Sequence, residues 1–457
     1  MMHPLLAQET LSSVSTTAQL QYFLNVLLTP TGIAAAILGA GGMILALVIG
    51  KGMPIFTGAS LFCLTTMLHS QSLTSNILIG PLQSLRNVAR PLSVALLIAA
   101  ILPALAAPRG NRPHPIGSIA GWFFVFQIFY AFQLLAFIDP AKGLLGAISI
   151  TGMFLVCAVG LGRQMQDLDS VQRCLKIFAW VGFAFTAANM VQLLISPGNA
   201  IVGGRLAGVA GNAQQMGTVC SFLILVNVYL FSDLPPTRLF KWACLATAGI
   251  LGMMLVWTGS RTNLLTTTVG ITLMYRLQLG RFAILAIAGG LVLVAAVSLF
   301  QDSTAGVDRI LTAGNTRADV WQLALESFYE SPIIGIMPFG IDAAVESSYI
   351  TALANTGIIG GALLLVPFAL LAFAAFRAWR LRSVRPDLAR LCDFFIGMAG
   401  AIIVVNAFEG FAVGVLTFPV MAMYAVFAVG GFLNDEAAVP SMMDEDWQSY
   451  DGMQVAA

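Results

Sequence analysis

Residues 357–379 read GIIGGALLLVPFALLAFAAFRAW, a stretch in which Arg377 is the single charged residue. A helix needs about 20 predominantly apolar residues to cross the roughly 30 Å hydrocarbon core of a membrane. The stretch is long enough for one crossing and therefore predicts a transmembrane helix.

Similar apolar runs recur along the chain, which is 58% hydrophobic and 9% charged over 457 residues. Soluble domains are about 25% charged. We predict spans at 31–50, 53–69, 91–107, 115–138, 143–162, 175–195, 215–232, 240–258, 262–275, 282–300, 357–379, 392–410 and 413–433. Two short runs, 53–69 and 262–275, are short enough to be tilted, broken or re-entrant. The sequence thus predicts an all-α, polytopic membrane bundle of about 12–14 transmembrane helices.

This composition excludes a soluble enzyme, a disordered chain and a nucleic-acid binder. The net charge of +1 offers no basic patch for a phosphate backbone, and long apolar runs are unlike the alternation of a β-barrel. The six cysteines lie in or beside apolar runs without CxxC spacing, which predicts buried thiols and no metal site. No cofactor is expected. The first 30 residues lack Lys and Arg, which favours a retained first span over a cleaved signal peptide.

Positive charge predicts the orientation, because Lys and Arg concentrate in cytoplasmic loops. The largest cluster, between the spans 357–379 and 392–410, is Arg377, Arg380, Arg382, Arg385 and Arg390. Placing it in the cytoplasm puts every other cluster there except Arg86 with Arg90. These clusters are Arg276 and Arg281; Arg238 and Lys241; Arg163, Arg173 and Lys176; Arg109 and Arg112; and Lys51. With 13 spans the N-terminus is external.

The chain then divides into four parts. About ten spans occupy residues 1–300, an external loop occupies 301–356, and the last spans occupy 357–433. The acidic residues 434–457 are predicted to form a disordered cytoplasmic tail. The loop 301–356 is much longer than ordinary connections and is expected to carry structure and function of its own.

An amphipathic helix is predicted inside this loop, with Asn315 or Thr316 as its N-cap and Pro332 as its stop. Its apolar face comprises Trp321, Ala324, Leu325 and Phe328. Arg317 lies one turn before Trp321 on the same face. It is a candidate for catalysis, with snorkelling or pairing to Asp319 or Asp308 as the structural alternative.

Glu346 is the second catalytic candidate. A helical arrangement puts Glu346, Tyr349, Ile350 and Leu353 on one face leading into the next span. A partly desolvated carboxylate there is a candidate general base. The alternative is a solvated glutamate stabilised by a helix N-terminus.

Two further external elements carry arginine. Arg205 lies in a glycine-rich stretch, 203–217, that also contains Asn212 and precedes a span. Arg261 lies in a polar break, 258–263, between two apolar runs. A guanidinium binds phosphate oxygens bidentately, so Arg205, Arg261 and Arg317 together predict a site for a lipid-linked diphosphate. The alternative for Arg205 or Arg261 alone is a structural anchor.

Other residues complete the set of candidates. Arg309, Asn212 and Tyr349 are candidate substrate contacts, although Tyr349 has a packing role as its alternative. Glu409, at the outer end of its span, either lines the same cavity or simply reaches water.

The same stretches, over roughly residues 200–365, resemble the O-antigen ligase and O-antigen polymerase superfamily of bacterial envelope glycan assembly. The resemblance rests on the order and spacing of four pieces. They are Arg205-Leu-Ala-Gly208 with Gly211-Asn212, Ser260-Arg261-Thr262, Arg317-x-x-x-Trp321 with Ser331-Pro-Ile-Ile-Gly335, and Glu346-Ser-Ser-Tyr349 with Thr356-Gly-Ile-Ile-Gly360.

The resemblance implies a metal-independent glycosyltransferase of the bacterial inner membrane, with its site facing the periplasm. A single displacement at the anomeric carbon would invert its configuration. The donor would be an oligosaccharide on undecaprenyl diphosphate, and the acceptor another glycan or glycolipid. External arginines would hold the diphosphate, and a loop residue would activate the acceptor hydroxyl. A chain-length regulator is a candidate partner.

The chain departs from the ligase pattern at one place. Ligases of this family resemble one another in a His-Asn pair three residues before the tyrosine of the last motif, where this chain has Glu346 and Ser347. Its histidines, His3, His69 and His114, lie outside the late loop. This favours a polymerase or exopolysaccharide-type enzyme, with a ligase acting on lipid A core or protein as the alternative. A polysaccharide or lipid transporter and a non-catalytic scaffold are the alternatives from other classes.

Overall fold

The computed structural model describes residues 96, 118–137, 140–235, 239–278, 318–335, 347–413 and 417–454. Within them, eight helical segments are long and apolar enough to cross a membrane. In chain order the main helices are α1 (Ser118–Phe137), α2 (Pro140–Met153), α3 (Leu168–Ile195), α4 (Ala213–Asp233), α5 (Leu239–Trp257), α6 (Arg261–Met274), α7 (Ala318–Glu330), α8 (Ser348–Val384), α9 (Ala389–Phe408) and α10 (Phe418–Gln454). The predicted all-α polytopic bundle is confirmed.

The predicted spans from 115–138 to 240–258, and the last three, each coincide with one of these segments. The helix α2 continues through a π-helical stretch, Phe154–Leu161, to Gln164. The predicted spans 31–50, 53–69 and 282–300 lie outside the described residues, as does 91–107 apart from Leu96. The total of 12–14 spans therefore remains a prediction.

The helix α6 is the short element at the predicted span 262–275. Its 14 residues correspond to about 21 Å, which is less than the hydrocarbon thickness. It packs closely on α9, because a Cβ added at Gly397 would lie 2.6 Å from the carbonyl oxygen of Gly270. Small residues allow this approach of helix backbones within a membrane.

The contacts between helix ends define two ends of the bundle. At the Asp393 end, the carboxylate of Asp393 in α9 lies 2.9 Å from both Arg276, after α6, and Arg382 in α8. These arginines come from two clusters that the sequence predicted to share one side of the membrane. At the opposite Glu409 end lie the residue that follows α9 and the first residues of α4, α6 and α8.

The helix α7 confirms the predicted amphipathic helix, but its buried face differs from the prediction. Ala324 and Ser327 are buried, whereas Leu325 is 38% exposed. The helix packs on α8, and this docking, rather than hydrophobicity alone, selects which side is covered.

The predicted disorder of the acidic tail is wrong as far as Gln454, because α10 continues to that residue. A helix that has already formed in the bundle extends without a new nucleation step. Glu436 also lies 2.9 Å from Arg385, which ties the beginning of the tail to the loop after α8.

Candidate functional site

Arg205 is presented by a small β-hairpin. Ile201–Val202 pairs antiparallel with Arg205–Leu206, so that Val202 faces Arg205. The two turn residues, Gly203 and Gly204, have φ of 58° and 71°. Two-residue hairpin turns with positive φ at both positions favour glycine strongly, which explains this glycine pair.

The hairpin contacts the turn that carries Arg261. The Nε of Arg205 donates to the carbonyl oxygen of Thr258 over 2.7 Å. Thr258 follows α5, Gly259 turns the chain with φ of 63°, and Arg261 is the first residue of α6. Arg205 is partly buried and Arg261 is exposed. The structure thus joins two of the arginine elements that the sequence predicted to share a site.

A buried amide fixes the start of α6 against the start of α4. The Nδ2 of Asn263 donates to the carbonyl oxygen of Gln214 and to the Oγ of Ser260, each over 2.8 Å, and its Oδ1 accepts from Thr218 over 2.9 Å. A Cβ added at Gly217 would lie 2.8 Å from this Nδ2, so glycine is needed for the close approach. Asn263 was not identified as a site residue from the sequence, although its position in the polar break 258–263 was a signal that could have found it.

Asn212 is the N-cap of α4. Its Oδ1 accepts from the backbone N–H of Gln214 over 2.8 Å and of Gln215 over 3.4 Å. This satisfies backbone donors that have no partner inside a helix. The substrate contact assigned to Asn212 stays a prediction, and the side-chain oxygen already has a structural role.

Glu409 lies at the same end and is 4% exposed, so the alternative that it simply reaches water is wrong. The Nε2 of Gln214 donates to both carboxylate oxygens, over 2.7 and 2.8 Å. The backbone carbonyl of Glu409 accepts from the N–H and the Oγ of Ser348, over 3.0 and 2.7 Å. Glu409 therefore joins the arginine elements, through α4, to the start of α8.

The start of α8 differs from the prediction. The prediction that Glu346 shares a helical face with Tyr349 requires a helix that has begun by residue 346. The observed helix begins at Ser348, with Ser347 as its N-cap. The Ser347 side chain accepts from the N–H of Ile350, which sets the first turn. Glu346 itself lies outside the described residues. The ring of Tyr349 packs edge-on against Phe368, with centroids 5.2 Å apart, so its packing alternative is observed while its sugar contact stays a prediction.

The glycine-containing motif 331–335 of the late loop docks on the glycine-containing motif 356–360 of α8. The N–H of Ile358 donates to the carbonyl oxygen of Pro332 over 2.8 Å. Gly335 and Gly357 have φ of 74° and 63°, and an added Cβ would lie 2.3 Å from the backbone of Asn355 in the first case and of Ile333 in the second. Gly357 also breaks α8, which divides the helix into a short leading piece and the membrane span. Only glycine fits both conformations without strain.

The helix α7 packs beside Glu409, because the ring of Trp321 stacks on Phe408 with centroids 6.4 Å apart. The candidates Arg317, Arg309 and Glu346 lie outside the described residues. The structure therefore brings Arg205 and the Arg261 turn into contact and places Glu409, Asn212 and Tyr349 at the same end of the bundle.

The described cysteines lie in the helices of the bundle and bear on the predictions of buried thiols and no metal site. Five cysteines are described, all buried with free thiols, which confirms the prediction for them; Cys63 lies outside the described residues. Within the part of the chain that the structure describes, no group of three or more His, Cys, Asp or Glu is placed to hold a metal ion.

The fold and the two ends of the bundle define a multi-pass, all-α membrane protein with a polar, arginine-bearing site at one end. No protein-family model matches the chain, and no curated protein matches it either.

Proposed function

We propose that the chain is a membrane glycosyltransferase that polymerises or transfers a glycan carried on undecaprenyl diphosphate. The observation that carries the proposal is the bond between Arg205 and Thr258, which holds two arginine elements from distant parts of the chain together. A diphosphate is a ligand that suits guanidinium groups carried by neighbouring elements at a membrane surface. The site would face the periplasm in a bacterial inner membrane.

In the proposed reaction, Arg205, Arg261 and Arg317 contact the diphosphate, with Arg309 as a further contact. An acceptor hydroxyl attacks the anomeric carbon, the bond from that carbon to the phosphate oxygen breaks, and undecaprenyl diphosphate leaves with the electron pair. Glu346 takes the hydroxyl proton. A single displacement inverts the configuration. Fixed positive charge stabilises the leaving group in the transition state, and no metal takes part.

The acceptor separates two versions of this proposal. A polymerase uses another lipid-linked glycan, whereas a ligase uses lipid A core or protein. Glu346 and Ser347, in place of the ligase His-Asn pair, favour the polymerase.

A transporter for a lipid-linked glycan is the second candidate function. The observation that favours it is the break of α8 at Gly357 together with the short helix α6. Broken helices are typical of binding sites in secondary transporters. The polar residues of α6 lie at the Glu409 end, next to the arginines, which also suits an enzyme site that opens at one membrane surface.

The test uses the purified full chain in vesicles with an undecaprenyl-diphosphate oligosaccharide. We expect longer glycans and released undecaprenyl diphosphate, with the same yield in EDTA. Arg261→Gln should lower the rate about 100-fold or more, as the loss of one charge-stabilising donor does elsewhere. Arg173→Gln, an exposed arginine at the Asp393 end, is the matched control and should retain the rate. Movement of donor across the membrane without change of glycan length would replace the enzyme by the transporter.

A further inference from the structure

An apolar stripe of α8 faces away from the bundle. Its exposed members are Leu365, Phe373, Phe376 and Trp379. Their spacing of eight, three and three residues keeps them on one side of the helix. From Leu365 to Trp379 the stripe extends about 21 Å along the helix axis, which is long enough to cover the roughly 15 Å of hydrocarbon in one lipid leaflet.

The stripe ends at arginine side chains that contact its aromatic rings. The Arg380 guanidinium lies 4.6 Å from the centre of the Phe376 ring, and the Arg276 guanidinium lies 5.7 Å from the centre of the Trp379 ring. Phe376 and Trp379 also pack edge-on against each other. The rings and the guanidinium groups therefore form one continuous surface at the Asp393 end.

The charges at this surface do not balance. Arg276 and Arg382 share the carboxylate of Asp393, and Arg380 adds a third positive charge. The Nε and Nη2 of Arg276 have no hydrogen-bond partner among the described residues, but both atoms are buried. The accessible donors at this surface are therefore those of the exposed Arg380 and the partly exposed Arg382. Arg276 and Arg382 share one carboxylate and Arg380 lies outside that cluster, so positive charge is in excess at this surface.

We propose that this surface binds an anionic phospholipid. Its phosphate lies at Arg380 and Arg382, close to Arg276, and its acyl chains lie along Leu365, Phe373 and Phe376. Arginine is suited to phosphate oxygens because its planar fork donates two parallel hydrogen bonds. A phospholipid, unlike a soluble anion, also uses the apolar stripe. Basic surfaces beside transmembrane helices attract anionic lipid by about 1 kcal/mol per arginine.

Arg385 offers a matched control in the same loop. It lies 2.9 Å from both Asp387 and Glu436. Hydrogen bonds to Asp387 raise the pKa of the Arg385 guanidinium further above its usual range. Its charge is thus matched locally, whereas Arg380 lies on an aromatic ring.

The experiment is a lipid titration of the full-length protein in neutral detergent, followed by native mass spectrometry. Phosphatidylglycerol is compared with phosphatidylcholine of the same acyl chains, and glycerol phosphate is the soluble competitor. We expect phosphatidylglycerol to bind first. Arg380→Gln should weaken it about fivefold, which corresponds to about 1 kcal/mol, and Arg385→Gln should leave it unchanged.

Three results would overturn the proposal. Equal binding of the two lipids would remove the phosphate preference. An equal loss in Arg385→Gln and Arg380→Gln would show a general effect of loop charge. Displacement by millimolar glycerol phosphate would identify a site for a soluble anion. The ion pairs of Asp393 among the described residues are with Arg276 and Arg382 and not with Arg380. Arg380→Gln therefore leaves the Arg276–Asp393–Arg382 cluster in place.

Discussion

The half-buried Gln214 pairs with the buried Glu409, and its amide nitrogen donates to both carboxylate oxygens, over 2.7 and 2.8 Å. Gln214 lies in the first turn of α4, and Glu409 follows the last residue of α9. The backbone carbonyl of Gln214 also accepts from Asn263 near the start of α6. The backbone carbonyl of Glu409 accepts from Ser348 at the start of α8. This pair thus connects the arginine elements to α8.

Gln214→Leu should destabilise the protein, because a buried carboxylate loses its amide partner. We expect a loss of about 1–3 kcal/mol or more and a lower Tm in thermal unfolding of the purified protein. The exposed pair of Gln322 and Glu326, joined over 3.0 Å, is the matched control. Gln322→Leu should change stability by less than about 0.5 kcal/mol. Equal effects in the two variants would contradict the structural role of the Gln214–Glu409 pair.

Gly357→Ala should destabilise the docking of the late loop on α8. The added Cβ would overlap the backbone of Ile333 at 2.3 Å, and φ of 63° disfavours alanine. The expected cost is at least about 1–3 kcal/mol, measured as a lower Tm and faster proteolysis of the loop. Gly249→Ala in α5 is the control, because nothing lies within 4 Å of its added Cβ. That substitution should be neutral or stabilising.

The spans were predictable because each depends on a local run of apolar residues. The span that begins at Gly357 was predicted but the break of α8 at that residue was not, whereas α7 was predicted from its caps and its period. The face that α7 buries was not predicted, because the packing of α7 on α8 decides that Ser327 is buried and Leu325 is exposed. The helical extension to Gln454 was missed, since composition alone does not show that an existing helix continues.

The site was predictable only in part. The arginines in a glycine-rich stretch and in a polar break indicated Arg205 and Arg261 as site residues, and the structure brings the elements that carry them into contact. The partners that hold them were missed because they are remote in sequence: Arg205 bonds to a residue 53 positions away, and Gln214 to one 195 positions away. Such pairs become visible only when the helix ends meet.

Asp393→Asn should destabilise the Asp393 end, because two arginines lose a shared, buried carboxylate. Breaking a buried ion pair from one side costs about 3–5 kcal/mol. Asp387→Asn is the control, since Asp387 is exposed and pairs with Arg385 at the surface, where such pairs contribute about 0–1 kcal/mol. The measurement is thermal unfolding of both variants in the same detergent. A larger loss in Asp387→Asn would contradict the assignment of Asp393 as the central acid.

Arg205→Lys tests whether the proposed enzyme needs the guanidinium geometry or only the charge. Lysine keeps the positive charge, but unlike arginine it cannot donate to Thr258 from an Nε and bind a phosphate with its terminal nitrogens at the same time. We therefore expect the rate of glycan transfer to fall about tenfold in Arg205→Lys and further in Arg205→Gln, because charge still stabilises the leaving diphosphate in the first variant. The measurement is glycan length against time with purified protein and lipid-linked donor, with Arg173→Lys at the Asp393 end as the control. Unfolding curves for each variant separate a loss of site geometry from a loss of fold. A full rate in Arg205→Gln, in protein that unfolds at the wild-type Tm, would remove Arg205 from the diphosphate site and leave it as an anchor between the hairpin and α5.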